Sequence, residues 1–368
     1  MKLEINFQKL KNAIQLIERI SGKHMTLQVL SCILLDVSKN TATFKATNLD
    51  IGIEIKVPVK SSEDAVLAIP AHIISSFVSQ VFDQNQTVTL ETVAGNLHII
   101  TSKSKGVIKT VPPEDFPTIP VVTDGLETTI SANLLVSGLK SVAYSSSVSS
   151  VKPELSSVYI YKESEHMVFV ATDSFRLAEK KVKIPTSSKM NDVLIPFKNI
   201  SEIIRILESM GDMVKIKMNK NLISFEVDGV YAVSRIIDGV FPDYRQIVPK
   251  NYSTEVVVLK QDLLNALKIS NIFSDKFNQI HVTVDPKAKL FEIQTKNNDV
   301  GENITAIDAA LSGERVEINF NYKYIVDCFQ SIDADSVALQ LGGINRPMVI
   351  RPVSGDQTFM YLAMPMNR

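Results

Sequence analysis

One amphipathic pattern recurs six times along the chain at nearly constant spacing. Apolar or small residues fill positions i, i+3, i+4 and i+7 at Leu10, Ala13, Ile14 and Ile17; at Leu135, Gly138, Leu139 and Val142; and at Leu263, Ala266, Leu267 and Ser270. A second set fits the same template at Ile74, Phe77, Val78 and Val81; Ile200, Ile203, Ile204 and Leu207; and Tyr322, Ile325, Val326 and Phe329. The first positions, 10, 74, 135, 200, 263 and 322, lie 64, 61, 65, 63 and 59 residues apart. Apolar residues at this spacing mark a helix with one buried face. A fixed long period means that one supersecondary unit is written repeatedly.

A longer period of 125 residues overlies the shorter one. Phe116-Pro117 and Phe241-Pro242 are 125 apart, as are Thr47-Asn48 and Thr172-Asp173, which read as tight polar turns between strands. Short strands are expected before each helix, at 3–7, 65–69, 127–130, 192–195, 255–259 and 316–320. Segments alternating with period two, such as 52–57 and 222–227, follow. The half-unit is therefore strand, helix, then several antiparallel strands. One helix cannot cover both faces of such sheets, so half-units must pack in pairs with helices on one side. This gives an α+β fold of three similar domains, 1–125, 126–251 and 252–368. In the first helix set the second template position is small each time, and a glycine inside a helix costs about 1 kcal/mol relative to alanine. Gly138 is thus expected where a helix lies close against a sheet. The serine-rich stretch 145–150 reads as a mobile loop.

Composition narrows the chemistry. With 39 Lys+Arg against 40 Asp+Glu, the formal charge of -1 argues against gripping nucleic acid by bulk electrostatics. The start of the chain lacks an apolar signal core and no stretch is long and apolar enough to cross a membrane, so a cytoplasmic protein is expected. Cys32 and Cys328 read as buried small hydrophobes. Five histidines are scattered, no phosphate-binding glycine loop opens a helix, and Asp333-Ala-Asp335 reads as a solvated turn. No catalytic residue, metal or cofactor is expected; the balance favours a binding or architectural protein over an enzyme. On the first helix, Gln8, Lys11, Asn12, Gln15 and Arg19 share a polar face flanked by Lys9 and Lys23. Singly, each such face reads as solvated; six in a repeating architecture suggest a common use.

Several segments resemble the bacterial sliding clamp, the beta subunit of DNA polymerase III, over the whole chain. They are the Thr-Leu-Gln-Val-Leu run at 26–30, Ala-Thr-Asp-Ser-Phe-Arg-Leu-Ala at 171–178, Asp-Gly-Val-Phe-Pro-Asp-Tyr-Arg at 238–245, Pro-Pro-Glu-Asp-Phe-Pro at 112–117 and Met-Pro-Met at 364–366. The resemblance implies a DNA clamp fold, two chains paired head to tail as a ring around duplex DNA, helices inside and sheets outside. Helices side by side at about 10 Å give six of them a hole of roughly 8 Å, and twelve a hole of about 27 Å. A duplex exceeds about 16 Å, so a six-helix ring cannot enclose it and a dimer can.

The resemblance also assigns residues. Lys9, Lys11, Arg19, Lys23, His24, Lys140, Lys198, Arg205 and Lys268 are expected to face double-stranded DNA through phosphates, without sequence preference. Lys103, Lys105 and Ile108 are expected to meet Ile272, Phe273, Asp299 and Glu302 of another copy. A pocket that takes a short peptide from the replicative polymerase or the clamp loader is implied at Leu155, Thr172, Ser174, Phe175, Arg176, Leu177, Pro242, Gln246, Ile247, Leu362, Met364, Pro365 and Met366. The chain departs from the family at His24 and Gln28 (usually arginine and proline), in the absence of Lys or Arg at 72–81, at Gly106 (usually aromatic) and at 366–368. The function implied is a non-catalytic processivity factor of DNA replication. The alternatives are a repeat-built hydrolase with an interdomain site and a cytoplasmic peptide-binding scaffold unrelated to DNA.

Overall fold

The computed structural model describes residues 1–22, 27–81 and 87–366. Six α-helices appear where the template places them: α1 Phe7–Ile17, α2 Ala71–Gln80, α3 Ala132–Val142, α4 Phe197–Ser209, α5 Lys260–Ile272 and α6 Tyr322–Cys328. The template residues form the buried stripe of each helix, except that Phe77, Val81, Ile204 and Val326 are only partly covered. Asn6 and Asn321 open α1 and α6 by accepting from the Lys9 and Lys323 backbone N–H at 3.0 Å each, which satisfies donors that a helix start leaves unpaired.

The chain forms two compact units. The first comprises Met1–Val136, Ser187–Asn191 and Lys198–Asp238; the second comprises Ser137–Thr186, Asp192–Phe197 and the chain from Gly239 onward. Each contains two antiparallel sheets. In the first unit the five-stranded sheet runs Lys60–Ser61, Lys2–Asn6, Thr87–Val93, Asn96–Ile100, Lys105–Ile108. Its eight-stranded sheet runs Leu126–Ser131, Met213–Met218, Leu222–Val227, Val230–Arg235, Ile51–Pro58, Thr41–Thr47, Cys32–Ser38, Ala65–Pro70. In the second unit the nine-stranded sheet runs Val193–Pro196, Ser157–Glu163, His166–Thr172, Arg176–Lys183, Phe359–Ala363, Met348–Pro352, Ser336–Leu341, Thr254–Leu259, Ala309–Gly313. Its four-stranded sheet runs Gly301–Ala306, Leu290–Asn297, Gln279–Asp285, Val316–Asn321.

These sheets resolve into six copies of one four-stranded set: the strand leading into a helix, followed in space by three consecutive strands of a meander. Two of the six last strands, Val230–Arg235 and Ile51–Pro58, pair with each other, with Val230 opposite Ile55. Two more, Arg176–Lys183 and Phe359–Ala363, pair with Arg176 opposite Ala363. Among the described residues the remaining two, Lys105–Ile108 and Gly301–Ala306, each end their sheet with one edge unpaired. The middle third of the sequence therefore contributes one set to each compact unit, because an edge-to-edge β ladder binds neighbouring sets as tightly as it binds strands within a set.

Gly138 lies against the buried Phe169, and a Cβ there would fall inside the van der Waals surface of the ring. Gly138→Ala gains about 1 kcal/mol of helix propensity but overpacks a core site, which costs about 1–3 kcal/mol. The expected net result is a lower Tm in a thermal melt, the reverse of an exposed Gly→Ala change. The serine-rich stretch differs from expectation: Ser145 and Ser146 are buried, and Ser146 Oγ donates to the Ser157 carbonyl at 3.3 Å. Ser147 is half-buried, and the exposed run is 148–153.

Candidate functional site

The residues expected to form a peptide pocket all lie in the second unit, and the turn between the strands His166–Thr172 and Arg176–Lys183 organises them. Thr172 Oγ1 donates to the Arg176 carbonyl at 2.6 Å and accepts from Ser174 N–H at 3.2 Å. Asp173 Oδ1 accepts from the backbone N–H of Phe175 and Arg176 at 2.9 and 3.0 Å. This side-chain scaffolding holds Ser174 at φ 78 although it is not glycine. The Arg176 guanidinium donates to Asp173 at 3.0 Å and to Asp327 of α6 at 2.5 Å, and its plane lies 4.8 Å from the Tyr324 ring centroid. Burial works against its charge, but Tyr361, Asp327 and Asp173 outweigh that and hold it above its ordinary pKa. Thr172 and Arg176 thus build the turn.

The turn presents Ser174 and, as its large apolar group, Phe175. Phe175 is 61% exposed. Its carbonyl accepts from Met364 N–H at 2.8 Å, and Met366 N–H donates to the Asn319 carbonyl at 2.8 Å, so 364–366 lies beside the turn as a fixed wall. Leu177 and Leu362 are 0% and 1% exposed and pair across the ladder, and Leu155 is also buried; these three belong to the core beneath. Pro242, Gln246 and Ile247 are exposed around the 3-10 turn Tyr244–Gln246. That turn is tied down by Tyr244, whose hydroxyl donates to Glu179 at 2.5 Å and meets the Tyr161 hydroxyl at 2.8 Å. Glu179 belongs to the strand that leaves the Thr172–Arg176 turn, so one strand fixes both walls. Burial and the Glu179 charge push the Tyr244 phenol far above its ordinary pKa, which keeps it a donor at any working pH. Pro242 also borders a cavity of about 350 Å³ with Tyr159, Tyr161 and Arg245.

Tyr244, Glu179, Asp173 and Asp327 are absent from the sequence-based set. The 125-residue period carries a signal for one of them. Thr47 Oγ1 donates to the Ile51 carbonyl at 2.8 Å, Asn48 Oδ1 accepts from Asp50 and Ile51, and Leu49 sits at φ 75, repeating the second turn bond for bond. Even Arg235 N–H donates to the Asp50 carbonyl at 2.8 Å, as Met364 does to Phe175. Asn48 and Asp173 therefore share a position and a task.

The cations behave unevenly. Lys9, Arg19, Lys140 and Lys268 are exposed and Lys11 is half-buried. Lys198 is paired with Asp50 at 2.6 Å. Arg205 pairs with Glu202 at 2.7 Å and donates to the carbonyls of Leu16 at 2.6 Å and Gln15 at 3.3 Å, the C-terminal end of α1. A cation there complements the helix dipole. A cavity of about 830 Å³ runs beside it, lined by Lys9, Leu16, Ile55, Val57 and Val230. Lys23 and His24 lie outside the described residues, as do 367–368. At the two open strand edges, Lys103 and Lys105 are exposed on one, and Asp299, Glu302 and Ile272 on or beside the other, with Phe273 half-buried. Ile108 faces its own core, and Val107, 57% exposed, takes the outward place.

Comparison with known families matches the DNA polymerase III beta subunit in three parts: its N-terminal domain at residues 1–120, its central domain at 129–243 and its C-terminal domain at 245–367. The chain belongs to the DNA polymerase III beta subunit family. The beta sliding clamps of Synechocystis and of Bacillus subtilis are each 26% identical to it; the alignments cover all of this chain and 99% and 100% of theirs. A crystal structure of the Bacillus subtilis DNA polymerase sliding clamp superposes with a TM-score of 0.92 at 25% identity, covering 100% of this chain and 99% of that one. The α+β clamp fold expected from the sequence is the fold observed. The described residues of this beta-subunit chain include no helix long and apolar enough to cross a membrane.

Proposed function

We propose that the chain is the processivity factor of a cytoplasmic replication machinery: three clamp domains, 1–125, 126–251 and 252–368, that dimerise head to tail into a ring around duplex DNA. The observation that carries this reading is the pairing of last strands. Four of the six are joined in twos inside the chain and two are left open, Lys105–Ile108 and Gly301–Ala306. Joining these between copies would complete the same pattern and remove every such edge, the ordinary solution to an exposed strand. The open edges carry opposite charge, Lys103 and Lys105 against Asp299 and Glu302.

The ring acts by topology and carries no reaction of its own. Its partners are the replicative polymerase, the clamp loader and other proteins bearing a clamp-binding peptide, which the Phe175, Ile247 and Met364–Pro365–Met366 surfaces receive. Such a wall of flexible and apolar side chains suits apolar peptide anchors. Sedimentation velocity and retention on nicked circular against linearised DNA test this together. The expected result is a dimer that stays on circles and runs off linear ends; a monomer, or equal retention on both, overturns it.

The pairing of Lys198 and Arg205 within the chain shifts the DNA-facing role to the freer cations. Lys9→Ala, Lys11→Ala and Lys268→Ala together are expected to lower retention and flatten its salt dependence by up to about 0.9 in log–log slope for each phosphate no longer neutralised. Sequence preference should not change. Retention titrated against salt measures it. Lys198→Ala with Arg205→Ala should act mainly on thermal stability.

A further inference from the structure

Resting on the head-to-tail dimer just proposed, we infer that Phe77 of α2 is the aromatic anchor of the self-association edge and packs against Phe273 of the partner subunit. The open strand Lys105–Ile108 turns Gly106 and Ile108 toward the helix layer. Ile108 is buried there, whereas Gly106 offers no side chain and Phe77 occupies its place: a Cβ on Gly106 would lie 2.7 Å from Phe77 Cε2. The other open edge is built alike. Gly301 begins its strand, and the Phe273 ring, just beyond the end of α5, stands 3.8 Å from where its Cβ would be. Each open edge is therefore a glycine overlaid by a phenylalanine from the helix layer, and both rings are only partly covered within the chain.

At the second template position, the described helices show this partial cover in α2 and not in α4 or α6. Ile203 of α4 and Ile325 of α6 hold the template position of Phe77 and are 2% and 3% exposed. The last of the three strands that follow each of those helices is joined to another set; the last strand after α2 is not. Phe77 is thus a core position whose covering neighbour is missing from its own chain. Its surroundings suit an apolar partner: α2 carries no Asp, Glu, Lys or Arg, and Ile73, one turn earlier, is exposed. On the complementary edge Ile272 stands exposed beside Phe273. A glycine under each ring lets it approach the strand closely, without a side chain between them.

The test is a double-mutant cycle on the dimer dissociation constant, read by sedimentation velocity on the full chain. Phe77→Ala and Phe273→Ala are each expected to raise it by about thirtyfold or more, as truncation of a central aromatic does. The double variant should cost clearly less than the product of the two. Should Phe77→Ala fail to fold, Phe77→Leu keeps the core filled and is expected to raise the constant by about fivefold or more. A dissociation constant within about threefold of the parent for the folded variant, while Ile272→Glu still dissociates the dimer, overturns the role of Phe77 and leaves the dimer standing. Multiplicative single effects overturn the contact with Phe273. A parent chain that is monomeric at micromolar concentration overturns the dimer itself, and with it this contact.

Discussion

Removing residues 364–368 is expected to raise the dissociation constant of a Gln-Leu-x-Leu-Phe type peptide by about a hundredfold or more while leaving the dimer mass unchanged. Met364, Pro365 and Met366 are partly exposed and held beside Phe175 by one backbone hydrogen bond and beside Asn319 by another. Burying two methionine side chains against a ligand at roughly 1.5–3 kcal/mol each accounts for two or more powers of ten in affinity. Removing the two hydrogen bonds costs stability of about 1 kcal/mol each, little against a folded chain. Neither open strand edge includes these residues, so the ring should still close. Fluorescence anisotropy of a labelled peptide and sedimentation velocity, on the same preparation, separate the two effects; unchanged peptide affinity rejects the pocket.

The helices and the strands leading into them are legible because the hydrophobic stripe repeats six times, and repetition averages out the ambiguity of any single run. Local period two is legible as well. Ile108 shows what it decides at the dimer edge: Lys105 and Val107 share one face of the strand Lys105–Ile108, while Ile108 falls on the other. Hydrophobicity alone selects Ile108; parity selects Val107.

What the sequence does not show is which charges are already satisfied. Arg205 reads as an exposed cation on the polar side of α4, yet its donors go to the carbonyls at the end of α1, and only the close approach of the two helices provides that partner. Lys198 and Asp50 are 148 residues apart and Arg176 and Asp327 are 151 apart. No spacing rule reaches that far. Tyr244 is hidden for a different reason: it sits inside the recognised Phe-Pro-Asp-Tyr-Arg run, but its partner Glu179 lies in a strand whose alternation gives only a face and not a neighbour. The pairing of last strands is likewise a property of three-dimensional topology, and it is the feature from which closure of a ring follows.

Charge on the open edges gives the second large effect. Lys103→Glu with Lys105→Glu is expected to yield folded monomers at micromolar concentration, and adding Asp299→Lys with Glu302→Lys is expected to restore the dimer. Both lysines are exposed, so reversing them disturbs little within the chain. The edge strand has four residues. At about 3.3 Å per residue it spans about 13 Å, under two screening distances of roughly 8 Å at physiological salt, so opposed charges stay within reach of one another across small shifts of register. Facing like charges across an interface costs several kcal/mol. Each dimer has two such interfaces, so even about 2 kcal/mol at each places the loss at about three powers of ten or more in the dissociation constant. Lys296 lies opposite Glu302 in its own ladder and tempers that residue, leaving Asp299 as the stronger partner. Asp299→Lys alone should therefore recover more of the dimer than Glu302→Lys alone. Sedimentation velocity at low and at high salt checks all four: the reversed chain should regain dimer as salt rises, since screening weakens repulsion, while the parent should lose it. A parent dimer indifferent to salt, or a reversed chain that stays dimeric, would show that hydrophobic contact alone closes the ring.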